Sequence, residues 1–541
     1  CMSVLQLYSQ SSFSQKTLLE DLDQFFYIVE NSHPDPYSGF GGKMQFNKEV
    51  QRIRNAIPKE GLSKTGFQNI LSAFLAKIHD GHTYINEVSP DKNKEKALLL
   101  NIRFKILTDG LIVSQSENTS LNGKKLMAVN GIEVADVLER VMLIQPCENT
   151  FGAYYAMLGL LNNTNGVKRI FPDLNLENNS IELTLLDNEG KQTKHHVKYL
   201  DADKRTYSPE KDWDKAKAPK KSIPFWYNYI DENKKVAYFP FYTTYSREVV
   251  EMQKLWNSDY SGMLNMLYKD FDLGEVPADI DEAIKKIPSL NETFYNMLTD
   301  MKKNKSTHLI IDLRENGGGW TPITFPTLYM LKGDEYFAHK FKEEYNTLIS
   351  ELFLKNSKQP IEEFHKQRNT NYKVGDYIFG YFMGGGWPGE MSLKDRRIKY
   401  FKDNMAGTDN GEKISGISRL LNSDGEPVYQ PKVIVVCSPA TFSAAFHYMY
   451  FLQTIYGATV VGVTPRQAYN NGMQVQSFTL DNTEISGSVS NSYQLFYPQD
   501  MEKGREMIPD YTFKCNDYLK YDCNKDAELL YIIDIIKAGK I

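Results

Sequence analysis

The chain has 541 residues, of which 41% are hydrophobic and 24% are charged. This length exceeds what one hydrophobic core usually supports, so we expect two to four domains. The net charge of -5 and the scattered Lys and Arg residues argue against nucleic acid as a partner. The sequence has no run of about 18 apolar residues, so it predicts no membrane-spanning helix.

The first residue is Cys1, and the stretch Ser9–Gln15 is small and polar, as in a linker. A chain that starts at cysteine resembles a bacterial lipoprotein after signal-peptide cleavage, with lipid on the thiol. Residues 1–15 are therefore predicted to be a lipoprotein tether, and the protein is expected in the cell envelope, periplasmic or surface-exposed. Membrane contact is expected only through this lipid. Trimming of a longer chain is the alternative explanation of Cys1.

Residues 16–92 are predicted to form a helical N-terminal domain. Apolar residues recur there at helical spacing, first from Leu18 to Val29 and again from Leu71 to Ile78. The tetrapeptide HDGH, residues 79–82, follows the second stretch and contributes two candidate site residues, Asp80 and His82.

Residues 93–202 change to short β-rich runs separated by Asp-Gly and Asn-Gly turns. The segment Gly123–Val134 (GKKLMAVNGIEV), with the helical pattern that follows it, resembles part of a PDZ-like module. It lacks a Gly-Leu-Gly-Phe carboxylate-binding loop, so the resemblance does not extend to a predicted peptide site. Further along, Cys515 and Cys523 would pair in an oxidising compartment, whereas Cys437 is predicted to be a buried thiol.

Residues 203–229 are charged and are predicted to be a linker, and residues 230–541 are predicted to form the last and largest domain. Helices alternate there with apolar strands, which favours βαβ units. A helix is predicted over about 282–301, before the strand 309–313. The polar, aromatic-rich segment at about 332–430 interrupts the pattern and is predicted to be an insertion, containing the GGGWPG run at 384–389.

Two motifs in this domain carry candidate chemistry. In Leu309–Trp320 (LIIDLRENGGGW), an apolar strand runs into three glycines, whose backbone N–H groups suit an oxyanion hole. A plain turn would need only one glycine. In Val433–Phe446 (VIVVCSPATFSAAF), Ser443 lies at the start of a helix, where the dipole favours developing negative charge. An ordinary helix N-cap is the alternative for Ser443.

Together, the motifs HDGH, DLRENGGG and SPATFSAA resemble the serine peptidase family of C-terminal-processing (tail-specific) and tricorn-type proteases. The resemblance covers roughly residues 16–90 and 230–541 apart from the insertion, and the PDZ-like segment lies in its usual place. It implies an α/β fold with a crotonase/ClpP-like core. It also implies hydrolysis of peptides or proteins through an acyl-enzyme on Ser443, with no cofactor.

The resemblance also bears on the catalytic base. One branch of the family uses a lysine about two dozen residues beyond the nucleophile, but no lysine occurs here between Ser443 and Lys503. Arg466, near that position, stays protonated and cannot accept the serine proton. The tricorn-like branch uses a histidine from the N-terminal helical domain, and His82 is at the matching position. We therefore predict His82 as the general base.

Three carboxylates are candidates to orient His82. The tricorn-like pattern has a serine before the histidine, where this chain has Gly81, and a glutamate before a Pro-Asp pair. Glu502 and Glu506 flank that second position. Asp80 is the local alternative, either as the acid or as a turn cap.

The predicted oxyanion hole consists of backbone N–H groups near Gly318, Gly319 and Ala444. A metal site at His79 and His82, with Asp80, is not predicted, because the sequence shows no Glu-x-x-His pairing and no further ligand beside them. A different class of function is a catalytically inactive binding protein for a peptide or apolar ligand on the same fold. An esterase is disfavoured because no Gly-x-Ser-x-Gly elbow surrounds Ser443.

Overall fold

The computed structural model describes residues 12–86, 97–219, 222–256, 258–381, 390–405 and 410–541. Cys1, most of the predicted tether and the run 384–389 lie outside these ranges, so the predictions made for them stay predictions. Within the described ranges, no helix is both long and apolar enough to cross a bilayer.

Three helices form the N-terminal part of the chain, together with three two-residue strands. The order is β1 (Ser12–Phe13), α1 (Gln15–Ser32), α2 (Lys43–Ala56), β2 (Leu62–Ser63), α3 (Lys64–Ala76) and β3 (Tyr84–Ile85). The buried faces of the helices pack against Phe478 and Val489 of the catalytic part. His82, which follows α3, is thereby fixed against the domain that carries Ser443.

The following part is a β-rich layer backed by helices. Its elements are β4 (Leu99–Leu100), β5 (Ile102–Leu107), β6 (Gly110–Ser116), β7 (Lys125–Val129), β8 (Ile132–Glu133), α4 (Val134–Met142), α5 (Thr150–Leu161), α6 (Thr164–Ile170), β9 (Ser180–Leu186) and β10 (Gln192–Leu200). The sheet is antiparallel in the order β4-β10-β9-β7-β6-β5, and β8 pairs with β7. Cys515 and Cys523, further along the chain, are free thiols rather than a disulfide.

A largely parallel sheet forms the centre of the catalytic part. Its order is β11-β12-β13-β16-β17-β20, where β11 is Asn228–Tyr229, β12 Val236–Pro240, β13 His308–Asp312, β16 Lys432–Cys437, β17 Thr459–Gly462 and β20 Tyr511–Thr512. Strands β12 and β13 are buried along their whole length, as expected for parallel strands covered on both faces. The mixed α/β class predicted from the sequence is confirmed.

Helices cover both faces of this sheet. They are α7 (Arg247–Leu255), α8 (Ser261–Asp270), α9 (Ile280–Lys286), α10 (Leu290–Asn304), α11 (Phe325–Lys332), α16 (Ala444–Phe451), α17 (Cys515–Lys520) and α18 (Ala527–Lys537). The prediction of a single helix over 282–301 is wrong, because the helix is interrupted between α9 and α10. Pro288 disfavours helix there, and the Ser289 side chain caps α10 by accepting from the N–H of Glu292 at 3.1 Å.

The inserted segment and a long hairpin form a second layer near the N-terminal helices. The elements are β14 (Glu344–Leu348), α12 (Glu351–Ser357), α13 (Ile361–Arg368), β15 (Tyr377–Ile378), α14 (Leu393–Lys399), α15 (Ile417–Leu421), β18 (Asn470–Thr479) and β19 (Ser486–Leu495). Strand β14 pairs with β19, and β19 pairs with both β18 and β3. The insertion is thus part of the sheet that adjoins the HDGH segment.

A buried ion network joins the β-rich part to the catalytic part at the end of β13. Arg314 pairs with Asp312 at 2.7 Å and with Glu528 at 2.9 Å. Glu528 also pairs with Lys105 of β5 at 2.7 Å, and the carboxylates of Asp312 and Glu528 are each 3% exposed. Asp312 and Arg314 therefore have a structural role.

Replacing Arg314 with methionine is expected to destabilise the fold by about 3 to 5 kcal/mol, because buried Asp312 loses its cationic partner and buried Glu528 keeps only Lys105. Urea unfolding followed by tryptophan fluorescence measures this. Arg505→Met is the matched control, since its guanidinium is 72% exposed and pairs with Glu502. Its effect is expected to stay below about 1 kcal/mol. Equal midpoints for the two variants would contradict the structural role of Arg314.

Candidate active site

Ser443 lies where the chain enters α16, beyond the carboxyl end of β16. Its backbone has φ 55° and ψ -125°, a conformation that non-glycine residues rarely adopt. The N–H of Ser443 donates a short hydrogen bond to Oε1 of Gln467. The segments after β13 and β17 reach the same edge of the sheet, which is where open α/β sheets place ligand sites.

His82 is buried, with 7% of its surface exposed, and its ring stacks on Phe442 with a centroid distance of 4.4 Å. Phe442 is the residue before Ser443, so the imidazole lies beside the nucleophile's backbone. Neither ring nitrogen of His82 has a hydrogen bond of good geometry with a described residue. The backbone of Gly472 is the nearest partner and raises the pKa of His82, which leaves the other nitrogen to accept a proton.

Burial lowers the pKa of His82 to about 4, and the positive charge of Arg466 adds to this effect. The negative charge of Asp80 acts in the opposite direction. The imidazole is therefore neutral at physiological pH. A neutral imidazole is the form that accepts a proton from a serine hydroxyl.

Asp80 is one of two carboxylates beside the imidazole, and its Oδ1 lies 3.9 Å from Nδ1 of His82. The same oxygen accepts the backbone N–H of His82 at 2.9 Å. Its other oxygen accepts hydrogen bonds from His33, Thr83 and Ser490 at 3.1, 2.5 and 2.7 Å. Asp80 thus caps the turn that presents the imidazole.

The ionisation of Asp80 is favoured by these contacts. Burial opposes it, but the hydrogen bond and charge of His33, the charge of His82 and the Thr83 hydroxyl hold the pKa of Asp80 below its usual range. Asp80 therefore supplies a standing negative charge close to His82.

Glu148 is the second carboxylate, and its Oε1 lies 3.8 Å from Nδ1 of His82. The side chain is 1% exposed. Oε1 accepts the N–H of Gly81 at 3.0 Å, and Oε2 accepts those of Ala468 and the Asn471 side chain at 2.7 and 3.1 Å. Burial and the charge of Asp80 raise the pKa of Glu148 to about 8.

The surroundings of Gly81 explain why this chain has a glycine where the tricorn-like pattern has a serine. A Cβ atom at residue 81 would lie 2.8 Å from Oε1 of Glu148 and 3.2 Å from the Phe442 ring. The Glu148 carboxylate therefore fills the space that a side chain at 81 would occupy.

The structure does not bring Glu502 or Glu506 to His82. The Glu502 carboxylate is 84% exposed and pairs with Arg505 at 3.3 Å. Glu506 is half-buried, which raises its pKa, and it forms no hydrogen bond or ion pair with His82. Of the predicted acids, Asp80 alone is beside the imidazole, and Glu148 takes the place expected for the glutamates.

The glycine corner packs directly on the nucleophile. A Cβ atom on Gly318 would lie 2.6 Å from Cβ of Ser443. However, the N–H of Gly318 donates to the side chain of Asn316 at 2.9 Å, so it is not free for an oxyanion. The N–H groups of Gly319 and Ala444 have no acceptor among the described residues.

Asp80, His82 and Glu148 have the composition of a metal site, with ligand atoms within 4.8 Å of one another. Both carboxylates, however, are already bound by backbone or side-chain donors that hold them around the imidazole. We therefore interpret the cluster as a candidate base, His82, with two acids beside it, rather than as a metal site. His79 is not part of this cluster. His447 is not part of it either, and its Nδ1 forms a hydrogen bond with the Thr321 hydroxyl at 2.8 Å.

Comparison with known proteins agrees with this geometry. Residues 281–512, which include Ser443 and the glycine corner, match the model of peptidase family S41. This match confirms the resemblance predicted from the motifs and identifies the chain as a serine peptidase. None of the curated proteins matches the chain.

Two solved structures share the fold of this chain. Mature CPAF is 16% identical with a TM-score of 0.55, and 95% of this chain and 97% of that chain are covered. Mature CPAF complexed with lactacystin is 15% identical with a TM-score of 0.52, covering 95% and 98%. At these identities the likeness concerns the fold.

Two residues of the candidate site, Glu148 and Gln467, were not predicted from the sequence. Glu148 lies in the loop before α5, where no local pattern marks it, and it meets His82 only through tertiary packing. Gln467 follows Arg466, close to the position at which one branch of the family has its lysine. Its distance from Ser443 along the chain is the feature of the sequence that marks it.

Proposed function

We propose that the chain hydrolyses peptides or proteins, as an endopeptidase or a carboxy-terminal-processing peptidase, with Ser443 as nucleophile and His82 as general base. One observation carries the proposal. A neutral, buried imidazole, with no hydrogen bond of good geometry at either nitrogen, stacks on the residue next to a strained serine, and two carboxylates lie within 4 Å of Nδ1.

In the proposed reaction, Oγ of Ser443 attacks the peptide carbonyl carbon while its proton passes to His82. Glu148 and Asp80 stabilise the imidazolium that forms. The carbonyl π electrons move to oxygen, and the N–H groups of Gly319 and Ala444 bind that oxyanion. His82 then protonates the leaving amine, which gives an acyl-enzyme that water hydrolyses.

The proposal extends to the architecture. The parallel sheet and the helix that begins after Ser443 support a crotonase/ClpP-like core, and the β7, β8 and α4 elements support a PDZ-like module. The base and the nucleophile come from different parts of the chain. The packing of the N-terminal helices on β18 and β19 is therefore expected to control activity.

A fluorophosphonate probe tests the proposal. Wild-type protein is expected to form an adduct that mass spectrometry maps to Ser443, and Ser443→Ala and His82→Ala are expected to lose it. Lactacystin, with which mature CPAF has been solved in complex, is a second probe. Folded wild-type protein that neither reacts nor cleaves a peptide library would instead support the inactive binding protein on this fold.

The pH profile tests the environment of His82. The titration of His82 is seen alone in Glu148→Gln, which lacks the carboxyl group that titrates near 8. The base works when neutral, so kcat/KM of this variant is expected to be lost as the pH falls through the pKa of His82, about 4. An ordinary imidazole would give a midpoint near 6.5. Kinetics between pH 3 and 7 measure this, with circular dichroism at each pH to separate titration from unfolding. A midpoint near 6.5 would contradict the buried environment.

A further inference from the structure

Gln467 lies in the segment 463–469, which joins β17 to β18. Its side chain is fully buried, at 0% exposure. Oε1 accepts the short hydrogen bond from the N–H of Ser443, so the amide oxygen is fixed on the backbone of the nucleophile. This contact holds Ser443 in its positive-φ conformation.

The contact has a consequence for the oxyanion hole. In chymotrypsin-type serine peptidases, the N–H of the nucleophile itself is one of the groups that bind the oxyanion. Here that N–H is taken by Gln467, and the N–H of Gly318 is taken by Asn316. Two backbone donors that would serve an oxyanion are thus already engaged.

The other end of the Gln467 amide is free. Nε2 is buried and donates to no acceptor among the described residues. It is bonded to the same carbon as Oε1, so it lies about 2.2 Å from the atom that contacts the Ser443 N–H. A buried amide N–H without an acceptor is unfavourable unless a bound group supplies one.

The neighbours of Gln467 fix this segment on the site. The guanidinium of Arg466 stacks on the Phe442 ring at 4.4 Å from its centroid. The N–H of Ala468 donates to Oε2 of Glu148 at 2.7 Å. The Gln467 amide is therefore held on both sides by contacts to groups next to the nucleophile and the base.

We infer that Gln467 is a catalytic residue of the proposed peptidase: its Oε1 holds the backbone of Ser443, and its Nε2 donates to the oxyanion in place of the N–H it occupies. This inference rests on the proposed function. During acylation the Nε2–H group gives a hydrogen bond and no proton. The serine proton goes to His82, and the negative charge on the former carbonyl oxygen is shared with the amide.

Two variants separate the roles of the two amide atoms. Gln467→Glu keeps an oxygen that accepts the Ser443 N–H but removes the donor. Its kcat is expected to fall about 10²-fold or more with KM nearly unchanged, as for loss of an oxyanion donor. Gln467→Met removes both atoms and is expected to lose at least as much. Gln453→Met is the matched control. Gln453 lies just after the end of α16, and its replacement should leave the kinetics as in wild type.

Binding of a peptide aldehyde provides a second readout. The aldehyde forms a tetrahedral adduct on Ser443, so its affinity is expected to fall by the same factor as kcat in Gln467→Glu. Affinity for an uncleaved product peptide should not change. Thermal melts of all variants show whether the fold is intact.

A purely structural glutamine gives a different result. Wild-type kcat in Gln467→Glu would overturn the inference, and so would a loss of kcat that leaves the affinity for the aldehyde unchanged. In both cases the activity of the wild-type protein would still support the proposed function. Wild-type protein that neither cleaves peptides nor labels at Ser443 would overturn the proposed function and this inference together.

Discussion

Replacing Glu148 with glutamine is expected to lower kcat/KM about 10⁴-fold at pH 9, the scale seen when the acid that orients a catalytic histidine is replaced by its amide. The carboxylate lies 3.8 Å from Nδ1 of His82, close enough for its negative charge to favour the protonated ring. The amide has no negative charge to stabilise the imidazolium formed during acylation. Kinetics on a peptide substrate measure the loss.

The loss is expected to depend on pH, because the pKa of Glu148 is raised to about 8. Below that value the wild-type group is a neutral acid and resembles glutamine; above it the group is ionised. At pH 7 about one-tenth of it is ionised, so the gap between wild type and variant should shrink about tenfold from pH 9 to pH 7.

Glu506→Gln is the matched control for Glu148→Gln. Glu506 is a half-buried glutamate that forms no contact with His82, and its replacement is expected to leave kcat/KM unchanged. Losses of equal size in the two variants would show that Glu148 does not orient the base. A pH-independent gap would show that its charge is not what matters.

Local pattern was enough to predict the strands that carry the site. Strand β13 was predicted over 309–313 and observed over His308–Asp312, and β16 was predicted over 433–436 and observed over Lys432–Cys437. Parallel strands buried on both faces need continuous apolar runs, and such runs are visible in one sequence. The glycine corner and the start of the next helix follow these strands directly in the sequence, so local pattern predicted them too.

The acid that faces His82 could not be predicted in the same way. Glu148 meets Gly81 and Ala468, which are 67 and 320 residues away along the chain. Its function depends on how the β-rich part packs between the N-terminal helices and the catalytic part. Asp80 was predictable because it acts within one turn, where spacing alone brings its carboxylate to the backbone of His82.

Replacing Gly318 with alanine is expected to lower kcat/KM at least about 10²-fold, because small displacements of a nucleophile have effects of this size. The added Cβ would lie 2.6 Å from Cβ of Ser443 and 2.8 Å from the carbonyl oxygen of Phe442. The backbone of Gly318 also has φ +105°, which alanine adopts only with strain. Ser443 must therefore move away from its position beside His82.

The neighbouring glycine supplies the control for this variant. Gly317 has open space around its Cβ position and no positive φ, so Gly317→Ala is expected to retain activity. The rate of fluorophosphonate labelling reports the position of Ser443, and thermal melts report the strain. Labelling at the wild-type rate in Gly318→Ala would show that the corner tolerates a side chain. The close packing of Gly318 on Ser443 would then not determine the reactivity of the nucleophile.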